Sequence, residues 1–194
     1  MTWSAPIALV VPAERAVSLD QAKEFLRIDD DVDEFDGQID AFLAAAIDQL
    51  EATCSIRLSA QTVRIGASDL SDLLRLPIGP VSALTAVEYT DRSGEVRAID
   101  PADLELIGGD LDGGIRTVIG KGWPNDIRSG RDAIRVTLEV GYDIVPAQLQ
   151  TAVLLMVSDQ FEFRTSAVTG TVAARIPTSM AVETLIANHR VWLS

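Results

Sequence analysis

Histidine and cysteine, the side chains best suited to nucleophilic or metal chemistry near neutral pH, occur once each in this 194-residue chain, as His189 and Cys54. A single imidazole and a single thiol far apart in sequence supply no evident nucleophile, base and orienting group. His189 falls on the apolar side of a predicted C-terminal helix, where packing or an interface contact outweighs work as a general base. Cys54 ends an apolar helix and reads as buried and inert, with no disulfide partner, as suits a reducing compartment. The run Asp29-Asp-Asp-Val-Asp33 has part of a calcium-loop spacing. Glu34 stands where that loop turns on Gly, however, and Asp40 where it needs a bidentate Glu. Its carboxylates suit the positive end of the helix that follows. Gly114 to Gly122 resembles a phosphate loop but has one residue too many between its glycines, and Gly122 replaces the magnesium-binding Ser or Thr. Gly108 to Gly114 reads as a flexible hairpin end, because no helix follows it. No catalytic, cofactor-binding or metal-ligating residue is therefore assigned, and no enzyme activity is expected.

The elements around these residues form an α+β pattern: a helical bundle with helices near both termini and a β-rich antiparallel insertion in the middle. The whole of 1–194 reads as one domain, helical over 17–58 and 146–190, with the insertion over 60–141. Ser18 and Gln21 have capping-box spacing, which starts a short helix running to about Ile28. A second helix is expected from about Asp33 to Thr53, since Phe35, Ile39, Phe42, Leu43, Ala46, Ile47 and Leu50 recur at steps of three and four. From Gln61 the period falls to two, most cleanly over Ala133 to Val140. Thr85 to Thr90 and Glu95 to Ile99 flank a hairpin signal at Asp91-Arg-Ser-Gly94. Leu73 to Leu76 and Gly114 to Ile119 are weaker strand candidates. Pro77 to Pro80 makes a rigid turn. Gly141 breaks the last strand, and Pro146 opens a helix apolar on nearly every side, which implies burial against neighbouring subunits. Thr165 to Arg175 reads as a mobile loop. Thr178 or Ser179 then caps a last helix with Val182, Leu185, Ile186 and His189 on one side.

Net charge is −13, with acidic residues crowded between Asp20 and Glu51. Such a surface repels phosphate, so tight nucleic-acid binding is not expected, although acidic walls suit a conduit that DNA must slide through. No basic segment precedes the apolar run from Ala5 to Val11, and the longest uninterrupted apolar stretch, Ala152 to Val157, is far too short for a membrane span. The chain reads as soluble and cytoplasmic.

A series of short motifs in fixed order carries a resemblance. It begins with Val17-Ser-Leu-Asp-Gln-Ala-Lys-Glu-Phe-Leu-Arg27, the long helix ending near Cys54, and Leu76-Pro-Ile-Gly-Pro-Val81 leading into Val87-Glu-Tyr-Thr-Asp-Arg-Ser-Gly94. Gly122-Trp-Pro124, Val140-Gly-Tyr142, Val145-Pro146 and Arg164 at the end of the next helix follow. From about Val17 to Arg190 the chain resembles the head–tail connector (adaptor) family of tailed bacteriophages and phage-like gene transfer agents. One departure is Phe161-Glu-Phe163, where the family's helix end is more aromatic and amide-rich. The resemblance implies a homo-oligomeric ring, a dodecamer in the particle, beneath the portal protein at the head–tail junction of a virion assembled in the bacterial cytoplasm. DNA would pass through it without specific binding, and neck, stopper or tail proteins would dock on it. It also implies that the C-terminal segment, His189, Arg190, Val191, Trp192 and Leu193, binds the portal. Deleting Val191 to Ser194 is then expected to abolish docking and leave the fold intact. Two other readings stay open: another neck or tail-completion protein of the same particle, and a small carboxylate-dependent hydrolase.

Overall fold

The computed structural model describes residues 3–166 and 180–192, and these fall into two compact units. The β unit comprises Met1–Ala13, Ser55–Asp143 and Val191–Ser194; the helical unit comprises Glu14–Cys54 and Ile144–Arg190. The architecture is mixed α/β, with antiparallel strand pairing in both sheets.

In the helical unit, α1 spans Leu19–Leu26 and α2 spans Asp36–Cys54. The capping box forms as its spacing predicts. Ser18 Oγ accepts from the Gln21 N–H at 3.2 Å, and Gln21 Oε1 accepts from the Ser18 N–H at 2.9 Å. Arg27 adopts a left-handed backbone (φ 58) and closes α1, because its own N–H and that of Ile28 turn back onto the carbonyls of Glu24 and Lys23. The acidic turn delays α2 until Asp36, later than the apolar stripe alone suggests. Once begun, the helix buries Ile39, Leu43, Ala46 and Leu50 of the stripe, with Cys54 continuing it, while Phe35, Phe42 and Ile47 are half-buried at its margins. Phe35, just ahead of the helix, meets Phe161 edge-on with ring centroids 5.9 Å apart. Helix α3 (Ala147–Ser166) begins where the Gln150 N–H reaches the Pro146 carbonyl at 3.1 Å. Leu149, Ala152, Val153, Met156 and Val157 are buried along one side. Leu154 and Leu155 are only half-buried, so the described residues do not cover the whole circumference. Helix α4 spans Met180–Ile186 and buries Val182 and Ile186. Most of the loop expected over Thr165 to Arg175, and the cap expected at Thr178 or Ser179, lie outside the described residues.

The β unit is built on a five-stranded antiparallel sheet. Its strands are β1 (Ile7–Val10), β2 (Gln61–Ala67), β3 (Val81–Thr90), β4 (Val96–Ile99) and, later in the chain, β7 (Ile134–Val140), in the order β1-β2-β7-β3-β4. β5 (Leu104–Ile107) and β6 (Gly114–Thr117) form a separate two-stranded ribbon. β7 is central, pairing with β2 from Gln61↔Val140 to Ala67↔Ile134 and with β3 on its other side. The alternation read from the sequence holds: Ile134, Val136, Leu138 and Val140 are buried, and Glu139 is exposed. Leu73 to Leu76 is not a strand. Leu70–Leu74 is a 3-10 turn started by Asp69, whose Oδ1 accepts from the Ser71 N–H at 2.8 Å. The apolar spacing of three at Leu70 and Leu73 suits that turn better than a pleat. β1 and β5 have no counterpart in the sequence reading.

The hairpin at Asp91 is locked by one carboxylate. Asp91 Oδ1 accepts from the Ser93 hydroxyl at 2.5 Å, the Ser93 N–H at 2.8 Å and the Glu95 N–H at 3.0 Å, while Oδ2 lies 2.7 Å from Arg97 Nε. These bonds, the Ser93 hydroxyl foremost, outweigh burial and hold the carboxyl at about 2. A depressed carboxyl stabilises the fold above its unfolded pKa of about 4, and that contribution is lost as pH falls toward 2. Asp91→Asn should therefore melt below the parent at pH 7, with the gap narrowing below about pH 4 in thermal scans.

Candidate docking surface

The C-terminal segment singled out in the sequence divides into tied and free residues. His189 closes a 3-10 turn after α4, with Nε2 3.0 Å from Gln148 Oε1 of α3. Arg190 Nη2 donates to Glu183 Oε2 at 2.6 Å. Arg190 also lies beside Cys54, which is buried; burial pushes that thiol up, and the guanidinium only partly opposes it. A buried, protonated thiol fits the inert role read from the sequence. In the β unit, Val191 is buried and packs on Gly79, where an added Cβ would sit 3.3 Å from Val191 Cγ2. Trp192 is 64% exposed. Leu193 lies outside the described residues. The segment thus anchors itself with short contacts and leaves a large indole in solvent, a pairing of features suited to docking a partner.

The motifs that suggested chemistry are occupied by structural bonds. Lys23 is 3% exposed, and its ammonium sits at the acidic turn, 3.0 Å from the Asp30 carbonyl oxygen and 3.0 Å from Asp36 Oδ1. The Asp36 carboxylate raises the ammonium's pKa, so it stays charged. A fixed cation there competes directly with a bound metal. Among the described residues no group of three or more His, Cys, Asp or Glu is arranged to hold an ion. Adding calcium is expected to leave the melting temperature unchanged, whereas a native-state binder would stabilise by about 2.7 kcal/mol at a hundredfold excess over its dissociation constant. Nearby, Asp20, Glu24, Arg27, Asp29 and Asp30 line an open cleft of about 540 Å³. The near-phosphate-loop is β6 followed by a turn, as read, and its Lys121 Nζ is 2.7 Å from Asp103 Oδ1. The glycine run before it joins β5 to β6.

One surface was missed from the sequence. β1 and its successor expose Ile7 (62%), Leu9, Val10 and Val11 (73%) on an edge of the sheet. The signal was present: an uncharged apolar run in a chain of net charge −13. No described helix is long and apolar enough to cross a membrane.

Comparison with known proteins adds a sequence match and a fold match. Residues 16–99, a little under half of the chain, match the model of the family described as Phage gp6-like head-tail connector protein. No curated protein matches the chain in sequence. A chain in the neck of the empty gene transfer agent (GTA) particle, computed with C6 symmetry, superposes with a TM-score of 0.75 at 21% identity. That match covers 98% of this chain and 97% of the other. A chain in the virion of the native GTA particle gives 0.74 at 22% identity, with the same coverage of both chains. One in the neck of the native GTA particle, computed with C12 symmetry, gives 0.64 at 21% identity, over 96% of this chain and 97% of that one. Over residues 16–99 the chain is thus similar in sequence to the family described as Phage gp6-like head-tail connector protein, and almost end to end it shares its fold with chains of the GTA particle.

Proposed function

We propose that the protein is the structural head–tail connector of a phage or phage-like particle, seated at the head–tail junction of the virion. The observation that carries this reading is the near end-to-end fold match to GTA neck chains, joined to the connector sequence over residues 16–99. The two units act together as one connector domain, with the β-rich 55–143 falling in sequence between the helical parts at 14–54 and 144–190. The helical unit serves as the bundle that builds the ring body, with half-buried Leu154 and Leu155 turned toward neighbouring subunits. A dozen copies surround a channel extending that of the portal protein, and neck, stopper or tail proteins dock on the ring. Fixed negative charge of −13 per copy keeps DNA moving through without specific binding. The protein performs no catalysis, and its work is complementarity of surfaces. His189, Arg190, Val191, Trp192 and Leu193 form the portal contact, with Trp192 the exposed anchor.

Light scattering tests the assembly step. The isolated chain should be monomeric or weakly associated, since like charge disfavours self-association, and a closed ring should form when portal is added. A stable two-fold dimer that portal does not alter would contradict the reading.

A further inference from the structure

Among the described residues the five-stranded sheet ends at β1 on one side and β4 on the other, with no further strand beyond either. All four residues of β1 are exposed, so neither face of the strand is covered, although alternate side chains point to opposite faces. Ile7 is 62% and Val10 59% exposed; in β4, Val96 is 53% exposed. An edge strand presents a row of unpaired N–H and C=O groups, which proteins normally blunt with lysine, proline, inward charge or a covering element. β1 itself reads Ile-Ala-Leu-Val, with no charge or proline inside the strand, although its register with β2 shifts between Ala8 and Val10 and Pro6 and Pro12 bracket the apolar run. Apolar side chains exposed on both faces, beside the outer edge of the sheet, leave room for a further strand next to β1.

We infer that β1 of one copy pairs with β4 of the next, so that the sheet continues from subunit to subunit around the ring. This rests on the connector reading, and three features select a second copy as the occupant. A closed ring requires a heterologous contact, one surface meeting a different one, and β1 and β4 are the two unlike ends of a single sheet. Their lengths agree, at four residues each. Their charge agrees as well. In a protein carrying −13, β1 has no charged residue and β4 (Val-Arg-Ala-Ile) has only Arg97, so this contact sets no carboxylate of one strand against another. Pairing of β1 with β1 would consume one edge in a two-fold dimer, leave β4 bare and propagate no further.

Thiol cross-linking of the full-length chain, assembled on its portal, tests the pairing. Ile7→Cys and Ala98→Cys are made singly and together and treated with a short bismaleimide; the parent, whose Cys54 is buried, is the control. The double variant should give a ladder of covalent multimers on a denaturing gel, and each single variant and the parent should remain monomeric. Should Ala98→Cys melt early, Val96→Cys takes its place on the same strand. A ring visible by electron microscopy but without a ladder overturns the β1–β4 pairing and leaves the connector reading standing. Covalent dimers from Ile7→Cys alone, or its capture of portal, overturn the pairing by giving β1 another occupant. Failure to form a ring with any form of the protein, parent included, removes the connector reading and the pairing with it.

Discussion

Trp192→Ala should weaken docking to the portal by about 30-fold or more while leaving the melting temperature of the free protein within error. The expectation follows from an asymmetry at the C-terminus. The indole is 64% exposed, so its removal costs the isolated fold almost nothing. A tryptophan seated at the centre of an interface typically contributes about 2 kcal/mol or more, which sets the fold-change. Surface plasmon resonance against immobilised portal, paired with a thermal scan, separates the two effects. The structure also revises the deletion experiment suggested by the sequence. Val191 is buried against Gly79, so removing Val191 to Ser194 takes away a packed side chain as well as the anchor. Such a truncation should melt lower than the parent, and any docking defect would then have two causes. The single substitution has one. Unaltered portal affinity in Trp192→Ala would remove the C-terminal segment from the interface.

A second large effect is expected at Gly141, where β7 ends. Its φ is +103, a conformation costly for any residue with a side chain, and an added Cβ would lie 2.2 Å from the Ser59 carbonyl oxygen. The neighbour is backbone and has no rotamer to change. Strain and overlap together should cost Gly141→Ala on the order of 3 kcal/mol or more, enough to unfold a marginal domain. Denaturant titration of the variant should show a midpoint far below the parent's, or no native baseline. A native-like midpoint would contradict so close an approach of Ser59 to Gly141.

Both positions show how far the sequence could be read. Gly141 was legible as a break, because a clean alternation from Ile134 to Val140 stops at it. Its contact with Ser59 was not, since a close approach between segments so distant in sequence leaves no local pattern. The capping box at Ser18, the α2 stripe and the Asp91 hairpin were legible for the opposite reason: each is a short-range arrangement whose bonds lie within a few residues. Leu73 to Leu76 was misread as a strand because the alternation of Leu74 and Leu76 suits a pleat, whereas the spacing of three between Leu70 and Leu73, which suits a 3-10 turn, prevails. β1 escaped notice since its pairing with β2, Ile7↔Arg64, spans most of the first third of the chain, and its residues follow no alternation between buried and exposed. Lys23 and Arg27 are the two cations among the carboxylates from Asp20 to Glu51, and that Lys23 is the one buried on the acidic turn follows from the fold and not from the sequence. At the C-terminus, composition pointed to Trp192. Which of its neighbours were already tied, Arg190 to Glu183 and His189 to Gln148, needed coordinates.

Whether this chain assembles as a connector ring is decided by electron microscopy of the full-length protein mixed with its portal. Portal particles should then bear an added ring of this protein, coaxial with the channel and with cyclic symmetry, twelvefold if each portal subunit receives one copy. Portal particles indistinguishable from portal alone, at concentrations that saturate the parent's binding signal or in the absence of any such signal, would contradict that assembly.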